Sequence, residues 1–274
     1  MTDRYAVVGN PVAHSKSPQI HAAFARATGQ DMSYEALLAP LDGFAAVVDG
    51  FVAGGGRGMN VTVPFKLEAC RLATSLSPRA QAAGAANTLV FSAAGTYGDN
   101  TDGIGLVADL QRNLGLVLAG RRILLLGAGG AARGVLLPLL QQQPASLTLA
   151  NRTAAKAHAL AAHFAAAAAG AALDAGGFAD LAGRHFDLVI NATAASLVDA
   201  APLLPDGVYA PASLAYDMVY GKGLTPFLRA AQAQGAARLG DGLGMLVEQA
   251  AEAFCLWRGV RPQTAPVLAA LRAA

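Results

Sequence analysis

Charge is scarce in this chain. Asp, Glu, Lys and Arg make up only 14% of its 274 residues, and 20 basic against 18 acidic side chains leave a net charge of +2. No lysine- or arginine-rich block occurs, and basic residues do not interleave with the few aromatics (6%), so nothing recommends nucleic acid or an anionic membrane surface as partner. The two cysteines, Cys70 and Cys255, are too few and too far apart for a disulfide framework or a metal-ligand spacing, and are expected reduced and packed. Five histidines, at 14, 21, 158, 163 and 185, form no ligand-spaced motif, so no metal is expected. There is no strongly apolar run long enough to cross a membrane. The N-terminus lacks the basic and apolar regions of a signal peptide. A cytoplasmic location follows as the expectation. With 54% hydrophobic residues the chain can bury a sizeable core, and its length suits two domains.

What is present begins mid-chain. The run Arg122-Ile-Leu-Leu-Leu ends in Gly127-Ala128-Gly129-Gly130-Ala131-Ala132-Arg133, and a second apolar run, Ser146–Ala150, ends in Asn151-Arg152-Thr153. Strand, glycine turn, helix, strand is the dinucleotide-binding unit. Gly127 permits a tight bend, Gly129 lets backbone approach a pyrophosphate, Ala132 is small enough for helix–strand packing, and the helix N-terminus offers N–H groups to an anion. Where Asp or Glu would bond a ribose 2′-hydroxyl, Arg152 and, one turn on, Lys156 suit a 2′-phosphate, which favours NADP. A glycine turn that binds nothing, or S-adenosylmethionine, is the plainer alternative.

Apolar patterns predict strands at Tyr5–Gly9, Ser33–Leu38, Gly58–Val63 and Asn87–Phe91, and helices at Ser17–Thr28, Leu41–Ala53, from Pro64 to Ala73, and Gly103–Leu114. Gly95–Gly98 reads as a turn. Beyond the glycine turn, strands are expected at Ser146–Ala150, Asp187–Asn191 and Leu214–Met218, and the alanine-rich 161–172 stretch as a helix end and its loop. The segment Leu243–Trp257 has helical spacing, with Leu246, Ala250 and Phe254 on one face and Glu248, Glu252 and Arg258 as polar positions.

Four polar clusters stand out in so apolar a chain: Gly9-Asn-Pro through Ser15-Lys-Ser17-Pro; Asn60-Val-Thr62-Val-Pro-Phe-Lys66; Asn87-Thr88; and Asp99-Asn-Thr-Asp102-Gly. Serine hydroxyls near a helix N-terminus suit a carboxylate. Strand alternation puts Asn60 and Thr62 on one face. Lys66 in a first helical turn conflicts with the helix dipole, as functional residues often do. Each cluster also has a plainer reading. Ser17 and Asp102 can serve as helix caps, Lys66 as a solvated lysine, and Asn and Asp as turn residues.

Together with the glycine turn, Tyr216-Asp-Met218-Val-Tyr220 and Asp241-Gly-Leu-Gly-Met-Leu-Val-Glu-Gln249, these motifs resemble the shikimate dehydrogenase family, in the family's order and over nearly the whole chain. The resemblance implies an α/β enzyme of two domains. An α/β substrate domain (1–102 plus 240–274) would receive an inserted Rossmann-like, doubly wound parallel-sheet NADP domain (103–239), with the site in the cleft between them. It implies NADPH-dependent reduction of 3-dehydroshikimate to shikimate, by a monomer or homodimer acting on a small molecule. By resemblance Lys66 and Asp102 are catalytic, and Ser15, Ser17, Asn60, Thr62, Asn87, Tyr220 and Gln249 bind substrate. The cofactor falls to Gly127, Ala128, Gly129, Gly130, Ala131, Asn151, Arg152, Thr153 and Lys156, with Thr193, Met218 and Gly242 at its nicotinamide half. Two stretches depart from the family pattern: Ala194-Ala195-Ser196 replaces the usual Ser and Gly, and Ser75–Pro78 lacks an acidic residue.

Overall fold

Alternating strands and helices fill the first hundred residues. The computed structural model, which describes residues 2–168 and 170–273, joins them into one mixed sheet. In chain order these are β1 (Asp3–Gly9), α1 (Ser17–Thr28), β2 (Met32–Leu38), α2 (Phe44–Ala53), β3 (Gly56–Val61), α3 (Lys66–Leu72), β4 (Ser75–Leu76), α4 (Pro78–Ala83), β5 (Thr88–Ser92) and β6 (Gly95–Asp99). The sheet order is β2-β1-β3-β5-β6-β4. Parallel β1 is flanked by β2 and β3, and β5 runs antiparallel to β3 and β6. Tyr5 to Val8 are buried, as befits a central strand covered on both faces. Below this sheet Ala6, Val8, Val61 and Leu89 meet Phe44 and Phe65, whose rings stack 5.0 Å apart. Burying each of these two phenylalanines contributes about 2 kcal/mol.

The chain divides into two compact units, Met1–Gly105 with Leu246–Ala274, and Leu106–Met245. The second unit is a sheet of six parallel strands: β7 (Arg122–Leu126), β8 (Ser146–Ala150), β9 (Ala172–Gly176), β10 (Phe186–Asn191), β11 (Tyr209–Asp217) and β12 (Arg238–Asp241). Their order, β12-β11-β10-β7-β8-β9, reverses direction between β7 and β10 and is the doubly wound arrangement. Before the first of these strands comes α5 (Asp102–Ala108); between them run α6 (Gly130–Leu140), α7 (Ala154–Phe164) and α8 (Pro226–Ala233), and α9 (Leu243–Arg258) and α10 (Ala265–Arg272) close the chain.

Several sequence expectations need correction. Gly95–Gly98 is not a turn but most of β6. The turn is Ala93-Ala94, and Ser92 pairs with Gly95 across the hairpin. The 161–172 stretch, of which residue 169 lies outside the described residues, ends by entering β9, an edge strand held by pairing with β8 rather than by its own propensity. The short strand β12 carries the second sheet through residue 240, where the sequence suggests a domain boundary. Helix α5 stops at Ala108 and becomes a π-turn, Asp109–Asn113, in which the Leu114 N–H reaches the Asp109 carbonyl. Asp109, at the start of that turn, is buried and accepts a 2.7 Å hydrogen bond from the Tyr216 hydroxyl. Glu248 is not on a polar face: it is buried, and bonds to Arg261 (3.0 Å) and Thr264 (2.6 Å) satisfy its carboxylate. Cys70 and Cys255 are free thiols, both half-buried. Among the described residues no helix is long and apolar enough to cross a membrane.

Candidate active site

Lys66 is the first residue of the seven-residue helix α3, which starts two residues later than Pro64 suggests because Thr62–Phe65 form a turn. The same turn ends β3 at Val61, so Thr62 lies beyond the strand and strand alternation does not set its direction. The unfavourable position of Lys66 at a helix N-terminus is answered by Asp102: the ammonium donates a 2.6 Å hydrogen bond to Asp102 Oδ2, with side chains 21% and 7% exposed. Asp102 is therefore committed to a cation rather than to capping α5. Its other oxygen accepts from Asn87 Nδ2 at 2.7 Å.

Asn87 organises the floor of this cluster. Its carbonyl oxygen accepts from the Thr101 N–H (2.8 Å) and the Thr88 hydroxyl (2.9 Å), which forces its amide nitrogen toward Asp102, Thr101 and Gln249. Gln249 comes from α9. It reaches the cluster because Gly105 on α5 has no side chain; a Cβ there would lie 2.6 Å from Gln249 Cβ. Asn60 donates to the Thr88 hydroxyl at 3.1 Å and accepts from the Tyr34 hydroxyl at 2.7 Å. The Tyr34 phenol also meets the Ser17 side chain; burial pushes its pKa well up, and Ser17 opposes that. Ser17 does not cap α1. The helix begins at Ser17, and the Ser17 N–H instead donates to Ser15 Oγ at 3.3 Å. Backbone bonds from Asn10 to Val63 and from Thr62 to Val8 hold Thr62 beside the strand-end loop that leads to Ser15. Ser15, Ser17, Asn60, Thr62, Lys66, Asn87, Asp102 and Gln249 thus gather at one end of the first sheet. Tyr220 belongs to the second unit, and burial raises its phenol pKa.

Tyr34, Thr88, Thr101 and Gly105 join the cluster beyond the residues to which the sequence points. Thr88 and Thr101 sit inside the motifs already noted. Tyr34 carries no local signal; the β2-β1-β3 order is what sets it near Asn60. The Asp99–Asp102 turn is held from behind. Arg79 donates twice to Asp99 (2.7 and 2.6 Å) and Ser77 once (2.5 Å). Burial disfavours the Arg79 charge, but bonds to Asp99 and Glu252 outweigh it and raise its pKa.

Beneath Tyr34 lies His21, fully buried and stacked on the phenol ring at 4.2 Å, with no hydrogen bond to either ring nitrogen. Burial lowers its pKa to about 3, with the adjacent Asn60 opposing in part. An unfolded chain takes up this proton near 6.5 while the folded chain does not. The contribution of this ring to folded stability is therefore complete above that pH and is lost by about 1.4 kcal/mol per unit as pH drops toward 3. His21→Phe is expected to flatten this acid limb, measured by circular dichroism in urea at several pH values. An unchanged slope would refute the buried neutral ring.

In the second unit Gly127 has φ +113°, closed to most residues, and its turn delivers α6 with its N-terminus at Gly129 and Gly130. A Cβ on Gly129 or Gly130 would meet nothing within 4 Å, so the space over the helix N-terminus is open. Ala128 and Ala131 flank this opening half-exposed, and Ala132 is buried. At the end of β8, Asn151 Nδ2 closes a turn on the Thr153 carbonyl at 3.0 Å. Arg152 and Lys156 stand exposed there, without an ion pair among the described residues. Open helix N–H groups and two uncommitted cations past the second strand fit a dinucleotide bearing an additional phosphate. Thr193, Met218 and Gly242 lie at the C-terminal ends of β10, β11 and β12, the edge at which doubly wound sheets bind ligands.

Comparison with known proteins agrees over the length of the chain. Residues 7–89 match the model of the shikimate dehydrogenase substrate binding domain, residues 109–199 that of shikimate / quinate 5-dehydrogenase, and residues 242–272 the shikimate 5′-dehydrogenase C-terminal domain. The shikimate dehydrogenase (NADP(+)) of Aromatoleum aromaticum is 68% identical over 98% of this chain and 97% of its own. The crystal structure of an Ael1 enzyme from Pseudomonas putida superposes with a TM-score of 0.92 at 53% identity, covering 98% of each chain. Shikimate 5-dehydrogenase from Thermus thermophilus, solved in complex with NADP(H) and shikimate, superposes with a TM-score of 0.86 at 34% identity, covering 99% of each chain. With the doubly wound unit and the Lys66–Asp102 cluster in place, the chain belongs to the shikimate dehydrogenase family.

Proposed function

We propose that this chain catalyses the reversible NADPH-dependent reduction of 3-dehydroshikimate to shikimate, a step toward chorismate and the aromatic amino acids, in the cytoplasm. The observation that carries the reading is the Lys66–Asp102 pair, 2.6 Å apart and joined to Asn87 and Gln249, in a chain 68% identical to a shikimate dehydrogenase. Residues 1–105 with 246–274 serve as the substrate domain and 106–245 as the cofactor domain.

When bound, NADPH supplies a hydride to the ring carbonyl carbon; everything else falls to side chains. The Lys66 ammonium faces the carbonyl oxygen, stabilises the charge that develops there and supplies its proton. Asp102 holds that ammonium in place and accepts from the neighbouring substrate hydroxyl. Asn87 and Gln249, already donor and acceptor in one network, read the ring hydroxyls, and Asn60 supports them. The hydroxyls of Ser15, Ser17, Thr62 and Tyr220 bind the carboxylate. A site built to bond hydroxyls discriminates strongly against analogues lacking them, because its buried groups are then left unpaired. Gly127 to Ala131 would hold the pyrophosphate, and Asn151, Arg152, Thr153 and Lys156 the adenosine phosphate. Thr193, Met218 and Gly242 would line the nicotinamide half.

The purified protein, given shikimate or quinate with NADP or NAD, is expected to form reduced cofactor fastest with shikimate and NADP. Absence of shikimate-dependent NADPH formation would overturn this reading.

A further inference from the structure

We propose that Asp217 is the positioning residue of the nicotinamide half of the cofactor site and that Ser196 is its working partner, an inference that rests on the reading just given for Thr193, Met218 and Gly242. Asp217 ends β11 and is completely buried. Among the described residues it has no ion pair. Its carboxylate is satisfied instead by neutral donors: Asn191 Nδ2 (3.0 Å) and the Val219 N–H (3.1 Å) on Oδ1, and the hydroxyls of Ser196 (2.7 Å) and Thr225 (2.5 Å) on Oδ2.

A buried carboxylate only accepts, so it dictates how its donors point. Asn191 must turn its amide nitrogen toward Asp217. Its carbonyl oxygen then faces Thr193, accepting from the Thr193 N–H at 3.1 Å and the Thr193 hydroxyl at 2.7 Å. The Val219 bond fixes the peptide that follows Met218, whose own N–H donates to the Asn191 carbonyl at 3.0 Å. Gly242 in turn donates to the Val219 carbonyl at 3.3 Å and lies so close that a Cβ on it would meet the Met218 carbonyl at 2.2 Å. Thr193, Met218 and Gly242, on three different strand ends, therefore share one anchor. Ser196 ties the 195–198 turn to the same carboxylate, and its hydroxyl is the only one in the Ala194-Ala195-Ser196 stretch that departs from the family pattern.

The test compares two ligands on the intact protein by calorimetric titration. NADPH spans the whole site, whereas 2′,5′-ADP carries the phosphorylated adenosine half without nicotinamide. Asp217→Asn, which keeps the shape but swaps an acceptor for a donor, is expected to weaken NADPH about tenfold, and Ser196→Ala about fivefold, with 2′,5′-ADP affinity unchanged in both. A merely structural role would weaken both ligands together, and that result overturns the proposal. If Asp217→Asn fails to fold, Ser196→Ala decides alone: unchanged NADPH affinity in that variant overturns the proposal. Failure of the wild-type protein to turn over shikimate while it binds NADPH would count against the proposed function and leave the anchor standing.

Discussion

Lys66→Ala is expected to lower kcat by about a thousandfold, within the range that loss of a positioned acid–base group produces, while shikimate still binds. The expectation follows from the division of labour in the cluster. Lys66 is the one cation beside Asp102 among the described residues, whereas the substrate hydroxyls and carboxylate are assigned to other groups: Asp102, Asn87, Gln249, Ser15, Ser17, Thr62 and Tyr220. Removing the ammonium takes away the stabilisation of oxygen charge that develops only in the transition state, and such a loss lowers kcat rather than raising KM. It also leaves the Asp102 carboxylate, 7% exposed, without its cation. Asn87 still bonds that carboxylate, and Lys66→Met retains the apolar stem while removing the charge, so the pair of variants separates chemistry from packing. Steady-state kinetics with both substrates varied is the measurement. Near-normal turnover in either variant would remove Lys66 from the mechanism.

Arg152→Ala is expected to raise the Michaelis constant for NADPH by about 30-fold, the effect of losing one or two charge-assisted hydrogen bonds to a phosphate, and to change that for NADH by less than about twofold. Arg152 stands exposed at the turn after β8, with Lys156 one helical turn on, and neither is spent on a carboxylate of the described chain. A guanidinium that forms no internal ion pair makes little difference to folding, so its removal should act on the phosphate alone. The comparison of the two cofactors is internal to one variant, and cancels any general loss of active protein. Equal effects on NADPH and NADH would refute the clamp.

Much of this was legible in the chain itself. The glycine turn announced β7, α6 and β8 because a positive-φ glycine and open N–H groups are local requirements that few other sequences meet. The substrate motifs were legible for a similar reason: polar residues stand out in a chain with 14% charged residues. Elements whose existence depends on a neighbour were harder. Strands β9 and β12 are short and exist through pairing with β8 and β11. The Gly95–Asp99 strand looked like a turn because its glycines mask a hairpin pairing. Glu248 reads from the sequence only as a polar position because the partners that bury it, Arg261 and Thr264, lie beyond the helix that carries it.

The sequence by itself determined the residue types that chemistry at this site demands and the cofactor phosphate they suit, because hydroxyls, a lysine, carboxylates and a glycine turn carry their capacities wherever they are placed. Only the tertiary structure decided which of them act together. Lys66 and Asp102 are 36 residues apart in the chain, and their 2.6 Å contact exists because β3, β5 and β6 are adjacent in the sheet. Gln249 arrives from the far end of the chain because Gly105 leaves room for it. Asp217, one acidic residue in a short motif, became an anchor only when three strand ends converged around it and water was excluded, since a carboxylate directs its donors firmly only where no solvent competes for it.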